Sequence, residues 1–180
     1  MASEFYEVLA SGGEDGPALS NTTTATSLLN AARKYTLPSN WADKLGRRMR
    51  LRAAGRISTA AAGPGTFTFD VRFGSVIVFN CGASGTLATS ASNLTWLLEL
   101  ELAVRALGSG TSSTVLGSGW LKSAALSATT PIQLLPASAP AAGTGFDGTA
   151  AQQVDLFGTW SVASASNTIT LHDYELIAVW

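Results

Sequence analysis

The chain has 180 residues and a formal net charge of −1, with 46% hydrophobic and only 13% charged residues. This length suits one domain with a full core, and the hydrophobic share excludes a chain that is disordered throughout. Its single histidine and single cysteine exclude a Cys/His metal cluster and an intrachain disulfide. Phosphate-binding and dinucleotide-binding motifs are also missing from the sequence, so we expect no metal and no cofactor.

The first forty residues differ in composition from the rest of the chain. Residues 5–10 predict a strand that ends at the turn-forming segment 11–17, which is rich in Gly, Asp and Pro. Residues 18–40 are polar and rich in threonine, and they predict an extended arm that crosses the surface. The predicted organisation is therefore an N-terminal strand and arm (1–40) followed by a single β-sandwich domain (41–180).

Alternation of apolar and polar residues predicts most of the remaining elements. Side chains two apart on a strand share a face, so such alternation describes a sheet with one buried side. Strands are predicted at residues 45–58, 66–73, 75–80, 94–107, 114–123, 132–135, 154–161 and 168–179. Turns rich in Gly and Ser join them, and no long stretch has the 3.6-residue period of a helix. We predict an all-β fold: an antiparallel β-sandwich or jelly roll with an extended N-terminal arm.

The same alternation predicts which residues form the core. Inward positions of the predicted strands carry the large apolar side chains, and the outward positions carry most of the charges. The predicted core residues are Phe67, Phe69, Phe73, Leu98, Leu100, Leu102, Leu156, Trp160, Leu171 and Ile177. No membrane contact is expected, because the longest apolar run, residues 94–107, carries three charges and is too short to cross a bilayer.

Most of the positive charge lies in one stretch of the chain. Eight of the eleven basic residues fall between positions 33 and 56, where only Asp43 opposes them. This basic strip is interpreted either as a solvated strand face paired with acids or as a contact surface for an acidic partner. Nucleic acid is not expected, because the strip lacks interleaved aromatic residues. The candidate contact residues are Arg33, Lys34, Arg47, Arg48, Arg50 and Arg52.

Residues with catalytic potential are few. His172 and Asp173 are adjacent, but neighbours on a strand point to opposite faces and cannot form an oriented pair. Cys81 has no second cysteine to bond with and is predicted to be an inert, partly buried thiol. The sequence therefore favours no nucleophile and no general base.

Two acids on one predicted strand leave two interpretations open. Glu99 and Glu101 share a face about 7 Å apart, a separation compatible with glycoside hydrolysis. They can equally form cross-strand ion pairs with Arg50 and Arg52 on a neighbouring strand. We favour the ion pairs, and we predict that the protein is not an enzyme.

Five stretches of the chain carry a resemblance to a known family. They are FYEVLASG (5–12), RLRAAGRIST (50–59), LLPASAP (134–140), VDLFGTWS (154–161) and SASNTITLH (164–172). Together they resemble a family of small virion structural proteins of tailed bacteriophages that includes capsid decoration proteins. The resemblance covers nearly the whole chain, and its motifs are strand and turn signatures without catalytic residues. It implies a structural role in a virion, with the major capsid protein as partner.

The expected function is that of a non-enzymatic capsid decoration (cement) protein on the outer surface of a tailed-phage head. The arm and the basic strip would face the particle, and low charge with many small residues predicts a homotrimer. The alternative is a tail-fibre or baseplate domain that binds a cell-surface glycan. Such a domain should expose aromatic side chains around a shallow pocket, and the candidates are Trp41, Trp96 and Trp120.

Overall fold

The fold consists of twelve strands and one short 3-10 helix within residues 5–126 and 131–179, which the computed structural model describes. The strands are β1 (Tyr6–Gly12), β2 (Leu19–Ser20), β3 (Thr26–Ser27), β4 (Tyr35–Leu37), β5 (Arg48–Ser58), β6 (Phe67–Phe73), β7 (Val76–Ala83), β8 (Leu94–Ala106), β9 (Thr114–Ser123), β10 (Ile132–Leu135), β11 (Gln152–Trp160) and β12 (Thr168–Val179). The helix spans Ala31–Arg33. In this part of the chain, no helix has the length and apolar character needed to cross a membrane.

Two antiparallel sheets make up the molecule. The seven-stranded sheet has the order β1-β12-β5-β8-β9-β10, with β2 also paired to β12. The five-stranded sheet has the order β3-β11-β6-β7, with β4 also paired to β11. Phe69 of β6 packs against Trp96 of β8 with ring centroids 5.2 Å apart, so the core lies between the sheets. The predicted all-β class and its antiparallel sandwich arrangement are confirmed.

The long central strands alternate as the sequence predicts. On β5, Met49, Leu51 and Ala53 are buried, while the arginines between them are exposed. On β8, the buried positions are the even-numbered residues from Trp96 to Val104. Each large apolar side chain buried this way contributes about 1.5–3 kcal/mol to stability. These two strands pair with each other, and their outward side chains form the middle of an open sheet face.

One predicted core residue is placed wrongly by the sequence pattern. Ile177 is half-buried on the outer face of the seven-stranded sheet, and Leu176 occupies the core in its place. The cause is a β-bulge in β12, where Leu171 pairs with Gly55 and Asp173 pairs with Ala54, leaving His172 as the extra residue. A bulge reverses which alternate positions face inward. The other nine predicted core residues are buried.

The predicted N-terminal arm is built into the sandwich. Its chain is extended, but β2 joins the seven-stranded sheet, and β3 and β4 join the five-stranded sheet. Leu19, Leu28 and Leu37 belong to the same core as the rest of the chain. The Leu28 amide also donates a hydrogen bond of 2.8 Å to the Leu156 carbonyl. Residues 5–40 therefore help to cover the core and are not a detachable arm; residues 1–4 lie outside the described chain.

Candidate functional site

A groove of about 530 Å³ lies on the outer face of the seven-stranded sheet. It crosses β12, β5, β8 and β9. Its lining consists of Arg50, Leu51, Arg52, Glu99, Leu100, Glu101, Ser118, Gly119, Trp120, Glu175 and Ile177. The charged side chains and Trp120 come from outward positions, because residues two apart on each strand share that face.

Strand register arranges these side chains in rows across the sheet. In one row Arg52 lies between Glu175 of β12 and Glu99 of β8, and Glu99 lies opposite Trp120 of β9. Four adjacent strands span three strand spacings, about 14 Å. The row therefore runs from a carboxylate at one end of the groove to an indole ring at the other.

Cross-strand ion pairs connect β5 and β8 in the middle of the groove. Arg50 Nε lies 3.3 Å from Glu101 Oε2, and Arg52 Nε lies 3.8 Å from Glu99 Oε1. Arg48 also pairs with Glu101. The pairs of Arg50 and Arg52 with these glutamates are the ones that the sequence favoured, and they are confirmed. Since the side chains are partly or largely exposed, each pair contributes only about 0–1 kcal/mol, and they leave donors and acceptors available to a ligand.

Of the three tryptophans proposed as binding-site aromatics, only Trp120 lines the groove. Trp41 and Trp96 are buried, and the Trp96 indole donates to the Arg56 carbonyl at 3.3 Å. Trp120 is half-buried, with one side accessible from the groove. Its strand neighbour Leu134 on β10 is largely exposed and extends the apolar end of the groove toward the sheet edge. In the alternation of β9, Trp120 falls on the same face as Ser118 and Lys122, and this position is the sequence signal that its side chain points away from the core.

The six candidate contact residues do not form one surface. Arg48, Arg50 and Arg52 have side chains more than half exposed on the outer sheet face. Arg47 is largely buried and pairs with Asp43. The capsid-contact role predicted for the exposed arginines stays a prediction.

The remaining two candidates, Arg33 and Lys34, lie elsewhere in the fold. Lys34 Nζ lies 2.6 Å from a carboxylate oxygen of buried Asp155 on the five-stranded sheet. Arg33 is buried, and its guanidinium makes one long hydrogen bond of 3.4 Å to the His172 carbonyl, while Nε and Nη1 have no partner. Arg33 is therefore not available as a surface contact in this structure, because its side chain packs beside Gly12 of β1.

The structure shows the surroundings of His172 and Cys81, the two residues with catalytic potential. His172 Nδ1 lies 2.6 Å from Asp15 Oδ1 at the bulge of β12. No sequence pattern linked these residues, because they are 157 positions apart. Cys81 is fully buried, and this burial, with a smaller effect of the Asp70 carboxylate, raises the pKa of its thiol. Within residues 5–126 and 131–179, no group of three or more His, Cys, Asp or Glu side chains could hold a metal ion.

The groove can therefore offer three kinds of contact at once. The indole of Trp120 provides a flat apolar surface. The arginines present several N–H donors in a fixed plane, and the glutamates present only acceptors. Shallow concave sites with an apolar surface and a few placed polar groups are typical of small-ligand binding.

Comparisons with known proteins give no family. No family model matches the chain, and no curated protein matches it. Among solved structures, it is similar to the CBM2 module of the evolved Dit of Lactobacillus casei BL23 phage J-1, with 9% identity, 99% of this chain and 98% of that chain covered, and a TM-score of 0.44. It is also similar to peanut lectin with a 9mer peptide, with 9% identity, 99% of each chain covered and a TM-score of 0.37. At these TM-scores both likenesses are loose.

Proposed function

We propose that this protein is a non-enzymatic binding module that holds a neutral, extended glycan in the groove on the outer face of its seven-stranded sheet. The observation that carries the proposal is the position of Trp120, half-buried at one end of a groove that is also lined by the donor and acceptor side chains of two arginines, three glutamates and a serine. The aromatic residue required by the glycan-binding alternative is thus located at a pocket.

A sugar ring matches the chemistry of this groove. One face of a pyranose is covered by C–H groups and can pack on an indole, while its hydroxyl groups both donate and accept hydrogen bonds. Glu99 lies opposite Trp120, and Arg52 follows Glu99 in the same row. Arg52 and Glu99 are only loosely paired, with Nε and Oε1 3.8 Å apart. A hydroxyl group of a ring stacked on Trp120 can reach Glu99, and the hydroxyl groups of the next ring can reach Arg52. The groove length of about 14 Å suits a short oligosaccharide.

Charge in the groove favours a neutral ligand over an acidic one. Two arginines and three glutamates line it: Arg50, Arg52, Glu99, Glu101 and Glu175. Within the groove, the positive charge that suggested an acidic partner in the sequence is therefore compensated by neighbouring strands. A groove without excess positive charge has little attraction for a polyanion.

The virion setting of this proposal comes from the sequence resemblance to phage structural proteins. In that setting a glycan-binding module belongs to a tail fibre or baseplate, where it would contact the host surface. Many copies on one particle would make even a weak single-site affinity sufficient, because linked sites bind with avidity.

Calorimetric titration with neutral oligosaccharides of different backbone linkages tests the proposal. We expect at least one to bind the wild-type protein, and Trp120→Ala to weaken that binding by about tenfold or more, corresponding to 1.4 kcal/mol. Trp120→Phe keeps an aromatic surface and should retain part of the affinity. Val162→Ala, an exposed apolar change outside the groove lining, is the matched control and should have no effect.

Two results would contradict glycan binding. The first is a wild-type protein that binds none of the neutral oligosaccharides. The second is a Trp120→Ala variant that folds normally and binds as tightly as wild type, which would place the ligand away from the groove.

Capsid decoration is the second candidate function. It is favoured by the exposure of Arg48 and Arg52, whose side chains are more than half accessible and could pair with carboxylates of a major capsid protein. Copy number separates the two candidates. A quantitative gel of purified particles should show copies close in number to the major capsid protein for a decoration protein, and only a few per particle for a tail module.

A further inference from the structure

A second exposed aromatic ring lies on the same face as the groove, beyond its β12 side. Tyr6 of β1 is 47% exposed and pairs with Val179 of β12. Two residues further along β1, Val8 pairs with Ile177, which lines the groove. Residues directly opposite each other on neighbouring strands point to the same face, as do residues two apart on one strand. The Tyr6 side chain therefore belongs to the outer face of the seven-stranded sheet.

Arg50 connects this ring to the groove. Its guanidinium carbon lies 5.6 Å from the centroid of the Tyr6 ring, and its Nε lies 3.3 Å from Glu101 Oε2. Arg50 is itself part of the groove lining. A guanidinium within about 6 Å of an aromatic centroid is attracted to the ring. This cation–π contact therefore holds the Tyr6 ring beside the groove, and Arg50 is shared between the ring and the ion pairs of the groove.

Tyr6 and Trp120 lie on opposite sides of the groove. From β1 to β9 the sheet has four strand spacings, about 19 Å. Two arginines and three glutamates line the groove between them. One sugar ring cannot contact both aromatic rings over this distance, whereas a chain of linked sugar rings can. The outer face therefore has an aromatic surface at each end and hydrogen-bonding groups in between.

The chemistry of Tyr6 suits a sugar ring in the same way as that of Trp120. Its ring gives an apolar surface, and its hydroxyl group can both donate and accept a hydrogen bond. At the other end, Leu134 is 77% exposed opposite Trp120 and lies beyond the groove lining. Exposed side chains thus border the groove at both ends, so a ligand longer than the groove can extend past either end.

We propose that Tyr6 is a second stacking site for the glycan, and that this face binds an internal segment of a long neutral polysaccharide. The chain would cross the strands from Trp120, over the arginines and glutamates, to Tyr6. The second site rests on the proposed function of the groove and specifies its ligand, which is a polymer recognised along its length rather than at a terminal sugar.

Chain length separates this arrangement from a site built on Trp120 alone. A trisaccharide stacked on Trp120 ends within the groove, which is about 14 Å long, whereas a hexasaccharide extends to Tyr6. Once one end is bound, the second stacking contact forms at a high effective concentration. An aromatic contact is worth about threefold to tenfold in affinity. The hexasaccharide should therefore bind more tightly than the trisaccharide by at least that factor.

Calorimetric titration with trisaccharides and hexasaccharides of neutral glucan and mannan backbones tests the second site. For a backbone that binds, Tyr6→Ala should weaken hexasaccharide binding by about threefold to tenfold and leave trisaccharide binding unchanged. The unchanged trisaccharide affinity also shows that the variant is folded. Tyr6→Phe keeps the ring and should retain most of the gain.

Phe5→Ala is the matched control. It removes a ring that is 63% exposed at the neighbouring position, just before β1 begins, and it should bind both lengths as wild type does. A loss equal to that of Tyr6→Ala would assign the effect to the N-terminal segment as a whole and overturn the role of the Tyr6 ring.

Trp120→Ala distinguishes a failure of the second site from a failure of the groove. It should weaken binding of both lengths, because both stack on Trp120. A Tyr6→Ala protein that binds the hexasaccharide as tightly as wild type overturns the second site and leaves the function of the groove standing. Equal losses for both lengths in Tyr6→Ala also overturn it, because Tyr6 would then act on the Trp120 end. A wild-type protein that binds neither length overturns both proposals.

Discussion

The bulge in β12 predicts losses of stability of very different size at two neighbouring residues. Leu176 is fully buried and pairs with Leu51 in the core, whereas Ile177 is half-buried on the outer face beside Arg50. Leu176→Ala removes three buried carbons, about 2.4 kcal/mol at 0.8 kcal/mol each. The remaining cavity raises the expected loss to about 3–5 kcal/mol. Ile177→Ala removes the same number of carbons from a half-buried site without leaving a cavity, so we expect a loss of about 1 kcal/mol.

Urea unfolding of the two variants measures this difference. With a slope of about 2 kcal/mol per molar urea, Leu176→Ala should lower the midpoint by about 1.5–2.5 M, and Ile177→Ala by about 0.5 M. The melting temperature should fall by about 6–20 °C for Leu176→Ala. If Ile177→Ala proved the more damaging change, the bulge at His172 would be absent and the simple alternation of the sequence would hold through β12.

Two further predictions concern buried groups that the groove does not use. Arg33→Met removes a buried guanidinium that makes one long hydrogen bond, and it keeps most of the apolar volume of the side chain. We therefore expect the free energy of unfolding to be unchanged or raised by about 1–4 kcal/mol. A clear loss of stability in a thermal melt would mean that the guanidinium has hydrogen-bond acceptors in solution. Cys81 should react very slowly with a thiol reagent in the native state, because burial removes access and raises its pKa, and rapidly once urea unfolds the chain. Fast, complete labelling of the folded protein would contradict the burial of β7.

Strand alternation predicted much of the fold because burial imposes it locally. Where a strand has one buried face, the period of two is present in the sequence itself, as on β5 and β8. The same rule failed at Ile177, because a bulge adds one residue without a sequence signal strong enough to place it. The opposing position, Gly55, is where a side chain would collide with the Thr170 carbonyl. The sequence contains this glycine, but it does not show which strand pairs with β5 at Gly55.

The N-terminal segment shows a second limit. Residues 18–40 lack a regular pattern because β2, β3 and β4 have only two or three residues each. A period of two cannot be recognised over so short a length. Leu28 and Leu37 are nevertheless buried, since the segment crosses both sheets and closes the core.

The sequence by itself determined the nine longer strands, the outward arginines and glutamates, and the small number of catalytic groups, since these follow from residue identity and local periodicity. Only the tertiary structure decided that Glu99 and Glu101 compensate Arg48, Arg50 and Arg52, because that depends on which strands are neighbours. It also decided that Trp120 lines a groove while Trp41 and Trp96 are buried. Whether an aromatic side chain is accessible depends on what the rest of the chain packs against it, and that information is spread over residues far apart in sequence.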